Sequence, residues 1–357
     1  MFSIKIFVMK KIYHILLGTL LLLPAAGAWA GNPDRQGEEG AKQLLINPWA
    51  RSAGLHGLNV SSISGTDALY LNVAGLARIN KTQFQVTNTR YLEGSDINVN
   101  ALGFGQRVGK GGAFGISLVT FDLGDFDLTT EDTPEGSGAT FSPSFFNMGV
   151  SYSHIFANKV SVGFTFKFVS ESVSNVAANA MALDAGVQYV TGEQDNFKFG
   201  ISLRNIGSKM VFRGEGLSRQ RPSPSPTFDY LLTYSSRPAA YELPSQLNIG
   251  ASYDWLIGRT SRLSLSGAFI SNAFSRDQYG AGLEFTLNKN FALRMAYKNE
   301  FDPNTVESTL DNGLSAGLSV AYPMKKGANT PAIAIDYGFR NTRVFKGIHS
   351  VGIRVDL

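Results

Sequence analysis

From residue 82 to residue 357, large apolar residues alternate with small or polar ones in runs of about ten, each followed by a turn or loop. In the last run Val351, Ile353, Val355 and Leu357 share one parity, and Ser350, Gly352, Arg354 and Asp356 the other. Successive side chains of a strand point to opposite faces, so each run has one greasy and one polar surface. The pattern predicts seven strands over 82–92, 97–107, 112–122, 144–156, 160–171, 180–190 and 196–206. It predicts seven more over 245–255, 261–271, 277–287, 290–300, 312–322, 331–340 and 347–357.

The connections sort by length. With the C-terminus on the periplasmic side, one set is short: 108–111, 157–159, 191–195, 256–260, 288–289 and 323–330. The other set holds the long loops: 122–143, 172–179, 207–244 and 301–311. Alternation, an even strand count and this asymmetry together predict an all-β fold, a transmembrane antiparallel β-barrel of the outer membrane with about 14 strands. No apolar run after residue 30 approaches the roughly 18 residues of a membrane helix. A spanning protein without such helices must satisfy its backbone between strands.

Residues 1–30 carry Lys5, Lys10 and Lys11, the apolar run Ile15 to Leu23, and Ala28-Trp29-Ala30. This is the order of an export signal with cleavage expected after Ala30. Residues 31–43 are polar and read as a leader. Residues 44–80 lack strand alternation and carry Gly54, Gly57, Gly65 and Gly75, which reads as a compact segment tucked into the barrel. The chain thus divides into 1–30 signal peptide, 31–80 leader and plug, and 81–357 barrel.

The bulky face, taken as lipid-facing, includes Phe146, Met148, Val150 and Tyr152, then Phe197, Phe199, Ile201 and Leu203. The opposite face is rich in Gly, Ser and Ala and carries Lys167, Asp184, Arg204, Asp254, Glu284, Arg294, Lys298, Asp336 and Arg354. Unpaired charges in a lumen are costly, so these are expected to pair with each other or with the plug. Small inward residues also leave room, because a barrel of this width is not filled by its own short side chains.

Composition changes the picture little. The net charge of +4 includes three lysines of the export signal, which leaves the remainder nearly neutral and gives no sign of nucleic-acid binding. Charged residues are 17% of the chain, against about 25% in soluble proteins. The absence of cysteine leaves neither a lipid anchor nor a disulfide framework.

Catalytic chemistry is not expected. His56, His154 and His349 show no metal-binding spacing, and no metal or cofactor is implied. His349 beside Ser350 lacks the context of a nucleophile elbow. Gly109, Gly111, Gly112 and Gly115 lie between strands without a following helix, so they read as a tight turn rather than a phosphate loop. Asp122, Asp125, Asp127, Glu131, Asp132 and Glu135 make an acidic outer loop without the spacing of a calcium loop.

The segment Leu44-Leu45-Ile46-Asn47-Pro48-Trp49-Ala50-Arg51-Ser52-Ala53-Gly54, followed by Asp67-Ala68-Leu69-Tyr70-Leu71-Asn72-Val73-Ala74-Gly75-Leu76-Ala77, resembles the start of the PorV/PorQ family. Gly200 to Gly207 and Leu243 to Tyr253 resemble recurrent strand motifs of that family. Val73 stands where the family usually has proline. The resemblance implies a FadL-like barrel with an N-terminal hatch around Asn72, Ala74 and Gly75, in a Bacteroidota-type outer membrane. It also implies work with the type IX secretion translocon, its attachment-complex proteins or secreted cargo.

Two functions follow as expectations. The first is a non-enzymatic docking or shuttle adaptor acting through aromatics of the outer loops: Phe126 and Phe141 in one, Phe212, Phe228, Tyr230, Tyr234 and Tyr241 in the other. Pro222, Pro224, Pro226, Pro238 and Pro244 would stiffen that second loop and lower the ordering cost of binding. The alternative is a FadL-like channel for hydrophobic small molecules, which would depend on the hatch and on inward groups such as Arg204 and Arg294.

Overall fold

The computed structural model describes residues 31–130, 132–224, 230–258, 260–288, 290–301, 312–324 and 331–357. The export signal over 1–30, loop residues 302–311 and turn residues 325–330 lie outside them.

The strands, in chain order, are β1 (Thr82–Tyr91), β2 (Ile97–Val108), β3 (Gly112–Asp122), β4 (Phe126–Asp127), β5 (Thr140–Phe141), β6 (Ser144–Phe156), β7 (Val160–Val173), β8 (Val176–Thr191) and β9 (Phe197–Gly207). There follow β10 (Ser218–Pro222), β11 (Leu231–Ser235), β12 (Gln246–Ile257), β13 (Ser261–Asn272), β14 (Gln278–Leu287), β15 (Phe291–Glu300), β16 (Gly313–Pro323), β17 (Ala332–Arg340) and β18 (Ile348–Asp356). β4 pairs only with β5, and β10 only with β11, as small hairpins. The other fourteen form one closed barrel in which each strand pairs antiparallel with its neighbours. The seam joins β1 to β18, from Gln83↔Asp356 to Arg90↔His349.

Thirteen of the fourteen predicted barrel strands end within two residues of the observed ones; the exception is β8, which starts four residues early. The outer loop expected over 172–179 is therefore not a loop. Ser172 pairs with Ala177 and Val173 with Val176, leaving only Ser174 and Asn175 in the turn. Ser174 takes the left-handed backbone (φ 49°) that a two-residue hairpin of this kind requires. Its small, weakly apolar flanks, Ala177 to Ala180, carry no alternation strong enough to show as strand.

The apolar parity faces outward. Phe164 and Phe166 are each 53% exposed, and Ile353 is 54% exposed, as expected for side chains whose solvent is lipid. The inward parity meets residues 41–79, which fold into single turns of helix over Ala50–Ala53 and Ala68–Leu71 and tighter turns over Lys42–Leu45, Gly65–Asp67 and Val73–Arg78. Leu55, Leu58, Val60, Ile63, Leu69, Leu71 and Leu76 build a core between this segment and the wall.

The wall glycines show why the inward face is so small. A Cβ on Gly186 would lie 2.1 Å from Asn72 Oδ1, and one on Gly338 2.4 Å from the Ala50 carbonyl oxygen. One on Gly200 would lie 2.6 Å from Ser61 Cα. β17 stands across the barrel from the neighbouring β8 and β9, so the segment is a seated hatch. At these glycines the room inferred from the small residues is taken by hatch backbone in close approach.

The hatch runs lengthwise. Pro48 and Asn47 reach Thr89 and Arg340 at the end of the barrel that carries the long loops. Thr66 accepts its place at the opposite end, where its backbone N–H donates to Gln83 Oε1 at 2.6 Å.

Candidate functional site

The rim with the long loops is built on a short extension of the barrel sheet. Past the turn of β7–β8, Ala177 bridges Arg213, Met210 bridges Tyr241, and Glu242 bridges Glu39 of the leader in parallel. The leader is thus the last strand of the set: the Gly40 N–H donates to the Glu242 carbonyl at 3.0 Å, and the Glu242 N–H to the Glu38 carbonyl at 3.3 Å. Gly40 lies flat under the Tyr241 ring, where a Cβ would come within 2.1 Å of Cδ2. Glu171 ties the three pieces together: it accepts from Gln43 Nε2 at 2.7 Å and from the Tyr241 hydroxyl at 2.8 Å. Burial pushes the Tyr241 hydroxyl pKa up, and the hydrogen bond to Glu171 adds to it. Outside, Glu242 pairs with Lys209 at 3.1 Å and Arg35 at 3.4 Å.

The predicted docking aromatics fall into two classes. Phe212 and Tyr241 pack on each other, centroids 5.8 Å apart, against Ala41, Leu44, Val169 and Met210. Partly buried, they pack at the base of the loop. Tyr230 and Tyr234 are exposed at 49% and 47% on the β10–β11 hairpin, beside Leu231 at 62%. Across that hairpin Arg219 faces Tyr234 and Arg221 faces Leu232, so one surface alternates guanidinium with apolar side chains. Phe228 lies outside the described residues. In the other loop Phe126 stacks on Phe141 with centroids 5.8 Å apart across β4–β5.

The hatch residues act as a fixed corner. Asn72 Nδ2 donates to the carbonyls of Val60 (2.9 Å) and Val187 (3.2 Å), while Oδ1 accepts from the Ala74 N–H at 3.2 Å and caps the following turn. Ser153 on the wall donates to the Ala74 carbonyl at 3.0 Å. Gly75 abuts the Ile63 carbonyl, 2.1 Å from where a Cβ would be. The Asn72 cap supplies order at a position where the chain has valine rather than proline.

The inward charges form two groups. Lys167 pairs with Asp184 at 2.5 Å and donates to Asn205 Oδ1 at 2.9 Å. Asp184 sits where the β8–β9 register shifts, and it accepts from the Asn205 N–H at 2.7 Å. The larger group is a belt near the short-turn end. Lys198 pairs with Asp254 (2.6 Å), Asp254 with Arg262 (3.5 Å), Arg262 with Glu284 (3.2 Å) and Glu284 with Arg294 (2.6 Å). Arg294 then donates to Ser319 Oγ at 2.6 Å, Ser319 donates to Asp336, and Asp336 pairs with Arg354 at 3.3 Å. Arg354 continues to Asp356 at 2.7 Å, which accepts from Gln83. One chain of contacts therefore crosses nine neighbouring strands, from β9 to β1. Lys198 and Arg262 were not singled out from the sequence; their inward parity was the available signal. On the hatch, Arg51 pairs with Asp67 at 2.8 Å. Burial alone would lower the Arg51 guanidinium pKa, but Asp67, Asp336 and Glu284 outweigh it and hold it high. Arg204 makes no ion pair with a carboxylate among the described residues: its hydrogen bonds go to neutral oxygens of Gln246 and Leu44.

Among the described residues no cluster of side chains suits a metal ion. A sequence model of the type IX secretion system protein PorV matches residues 34–277. No curated protein sequence matches the chain. Among solved structures, a FadL homologue from Pseudomonas aeruginosa is similar at a TM-score of 0.51 and 12% identity, over 86% of this chain and 98% of that one. The toluene transporter TodX of Pseudomonas putida is similar at 0.50 and 13%, over 87% and 97%. The toluene transporter TbuX of Ralstonia pickettii is similar at 0.51 and 11%, over 87% and 98%. At these identities the likeness carries the fold: a FadL-like outer-membrane barrel.

Proposed function

The chain belongs to the family of the type IX secretion system protein PorV, and on that footing we propose that it is a non-enzymatic adaptor. It docks secretion-system components or their cargo through its outer loops, the β10–β11 hairpin foremost. The observation that carries this reading is the rim assembly. The leader, Glu171, Phe212 and Tyr241 fix the base of one long loop, and that loop raises a hairpin that exposes Tyr230, Leu231 and Tyr234 and carries Arg219 and Arg221. Tyrosine and arginine dominate the binding energy of protein interfaces, and a base fixed in advance lowers the ordering cost of docking. Delivery to the outer membrane by a cleaved signal over residues 1–30 belongs to the same proposal.

The test is affinity purification of the tagged protein from its native outer membrane in mild detergent. The wild type is compared with a variant in which 218–235 is replaced by a short Gly-Ser link. Secretion-system proteins or cargo recovered with the wild type and lost with the variant support the adaptor. Equal recovery from both would sink it. The channel alternative draws on the named substrates of the similar transporters. It has less support, because wall glycines in backbone contact with the hatch leave a continuous path only if the hatch moves. A barrel that copurifies with hydrophobic small molecules and no protein would favour it.

A further inference from the structure

We propose that the cavity beside Arg204 is a binding site for one small oxyanion (a carboxylate, phosphate or sulfate group) that joins the hatch to the barrel wall. The inference does not depend on what the outer loops dock. Arg204 is only 2% exposed. Its Nη1 donates to Gln246 Oε1 at 3.0 Å and its Nη2 to the Leu44 carbonyl at 3.2 Å, and the guanidinium lies 3.9 Å from the centre of the Tyr70 ring. Its Nε, also buried, has no acceptor. Among the described residues no carboxylate pairs with it. Lys167, Lys198, Arg294 and Arg354, the comparable inward cations, each face a carboxylate. A buried charge is tolerated when it is paired, and a guanidinium presents donors in a fixed fork that fits oxyanions.

The surroundings suit such a guest. Arg204 lines a cavity of about 120 Å³ between the hatch and β9, β12–β15 and β17. Lys298 and Arg340 line it too, both buried and both holding contacts of their own, and the lining Gln278 donates to the buried Glu300 carboxylate at 3.3 Å. Asn47, Asn248 and Asn272 also line it; each Nδ2 already donates one N–H, to Ser52 Oγ, Ser202 Oγ and the Arg276 carbonyl, and has a second to give. A polar cavity of this size has room for an oxyanion head. Because Arg204 and Gln246 belong to the wall while Asn47, Tyr70 and the Leu44 carbonyl belong to the hatch, an anion there bridges the two.

The experiment follows thermal unfolding of the full-length, detergent-solubilised barrel in chloride buffer and in acetate, phosphate or sulfate at matched ionic strength. It uses the wild type, Arg204→Gln, Arg204→Lys and, as a control, Arg90→Gln at the exposed rim. The expected result is a saturable rise in Tm with at least one oxyanion in the wild type and Arg90→Gln. That rise is lost in Arg204→Gln and weakened in Arg204→Lys. An equal rise in all four proteins, or none in any, would overturn the site. A response to laurate with none to the three small anions would also overturn it, by assigning the guanidinium to a lipid head. Should Arg204→Gln fail to fold, phosphate titration of the wild type by calorimetry decides instead. Saturable binding that sulfate competes for supports the site, and its absence refutes it.

Discussion

The two long outer loops rise from the same rim and differ in both anchoring and charge. The loop between β3 and β6 carries Asp122, Asp125, Asp127, Glu131, Asp132 and Glu135 and no lysine or arginine. It holds its form through the two pairs of β4–β5 and the Phe126–Phe141 stack. The loop between β9 and β12 carries Lys209, Arg213, Arg219, Arg221 and Arg237, and its base is bonded to the barrel, to Glu171 and to the leader. Holding a long loop in one conformation takes backbone hydrogen bonds and buried side chains from outside the loop, and only the second has them. The difference teaches that aromatic residues in a loop mean opposite things by position: at the base they anchor, at the tip they are free to bind.

Four changes would break or sharpen this contrast. The largest effect is expected from the loops themselves. Removing 218–235 should lower partner recovery at least about thirtyfold, the size of one interface hot spot, whereas removing 128–137 should change it less than about twofold; quantitative mass spectrometry of the purified complexes reads both. Next is Glu171→Ala, which strands Gln43 and the Tyr241 hydroxyl and should loosen the base by about 1–3 kcal/mol. Limited proteolysis should then cut near residues 38–42 and 236–242 in the variant while the barrel strands stay protected. Reversing charge with Arg219→Glu and Arg221→Glu should weaken partner binding by about 1 kcal/mol at low salt, with the difference shrinking as salt rises. The smallest effect is a pH dependence at the rim. Hydrogen bonding to Lys209 and then to Arg35 holds Glu242 below the usual glutamate range. A depressed carboxylate contributes stability above its unfolded pKa and loses it as pH falls through the folded value. Proteolysis at the loop base should therefore rise modestly on acidification below about pH 4.5. An unchanged cutting rate would remove Glu242 from the lock.

Much of this architecture was legible because a barrel has one repeating rule. Alternation placed thirteen strands closely, and it assigned Met148, Tyr152 and Leu203 to lipid and Asp254, Glu284 and Arg294 to the lumen. β8 began early because Ala177 to Ala180 are small on both faces, so a period of two has no contrast there. The pairing of charges was legible in kind and not in partner, since Lys198 and Arg262 meet Asp254 only once the strand register is fixed. The packing of Phe212 and Tyr241 was hidden for a different reason. Their burial depends on residues 38–44, some 170 to 200 positions earlier, and no local pattern reports a contact at that separation. Arg204 was assigned to the network by parity alone, and parity says which way a side chain points without saying what awaits it.

The seated hatch has a consequence for how the molecule comes to exist. Residues 31–45 stand at the rim of the long loops, residues 66–83 reach the opposite end, and β1 begins there and closes the ring against β18. The finished protein is a thread passed through a hoop made from its own remainder. A hoop closed first would have to admit the thread past glycines with no clearance. Closing the seam between the first and last strands around a hatch already in place would spare it that passage.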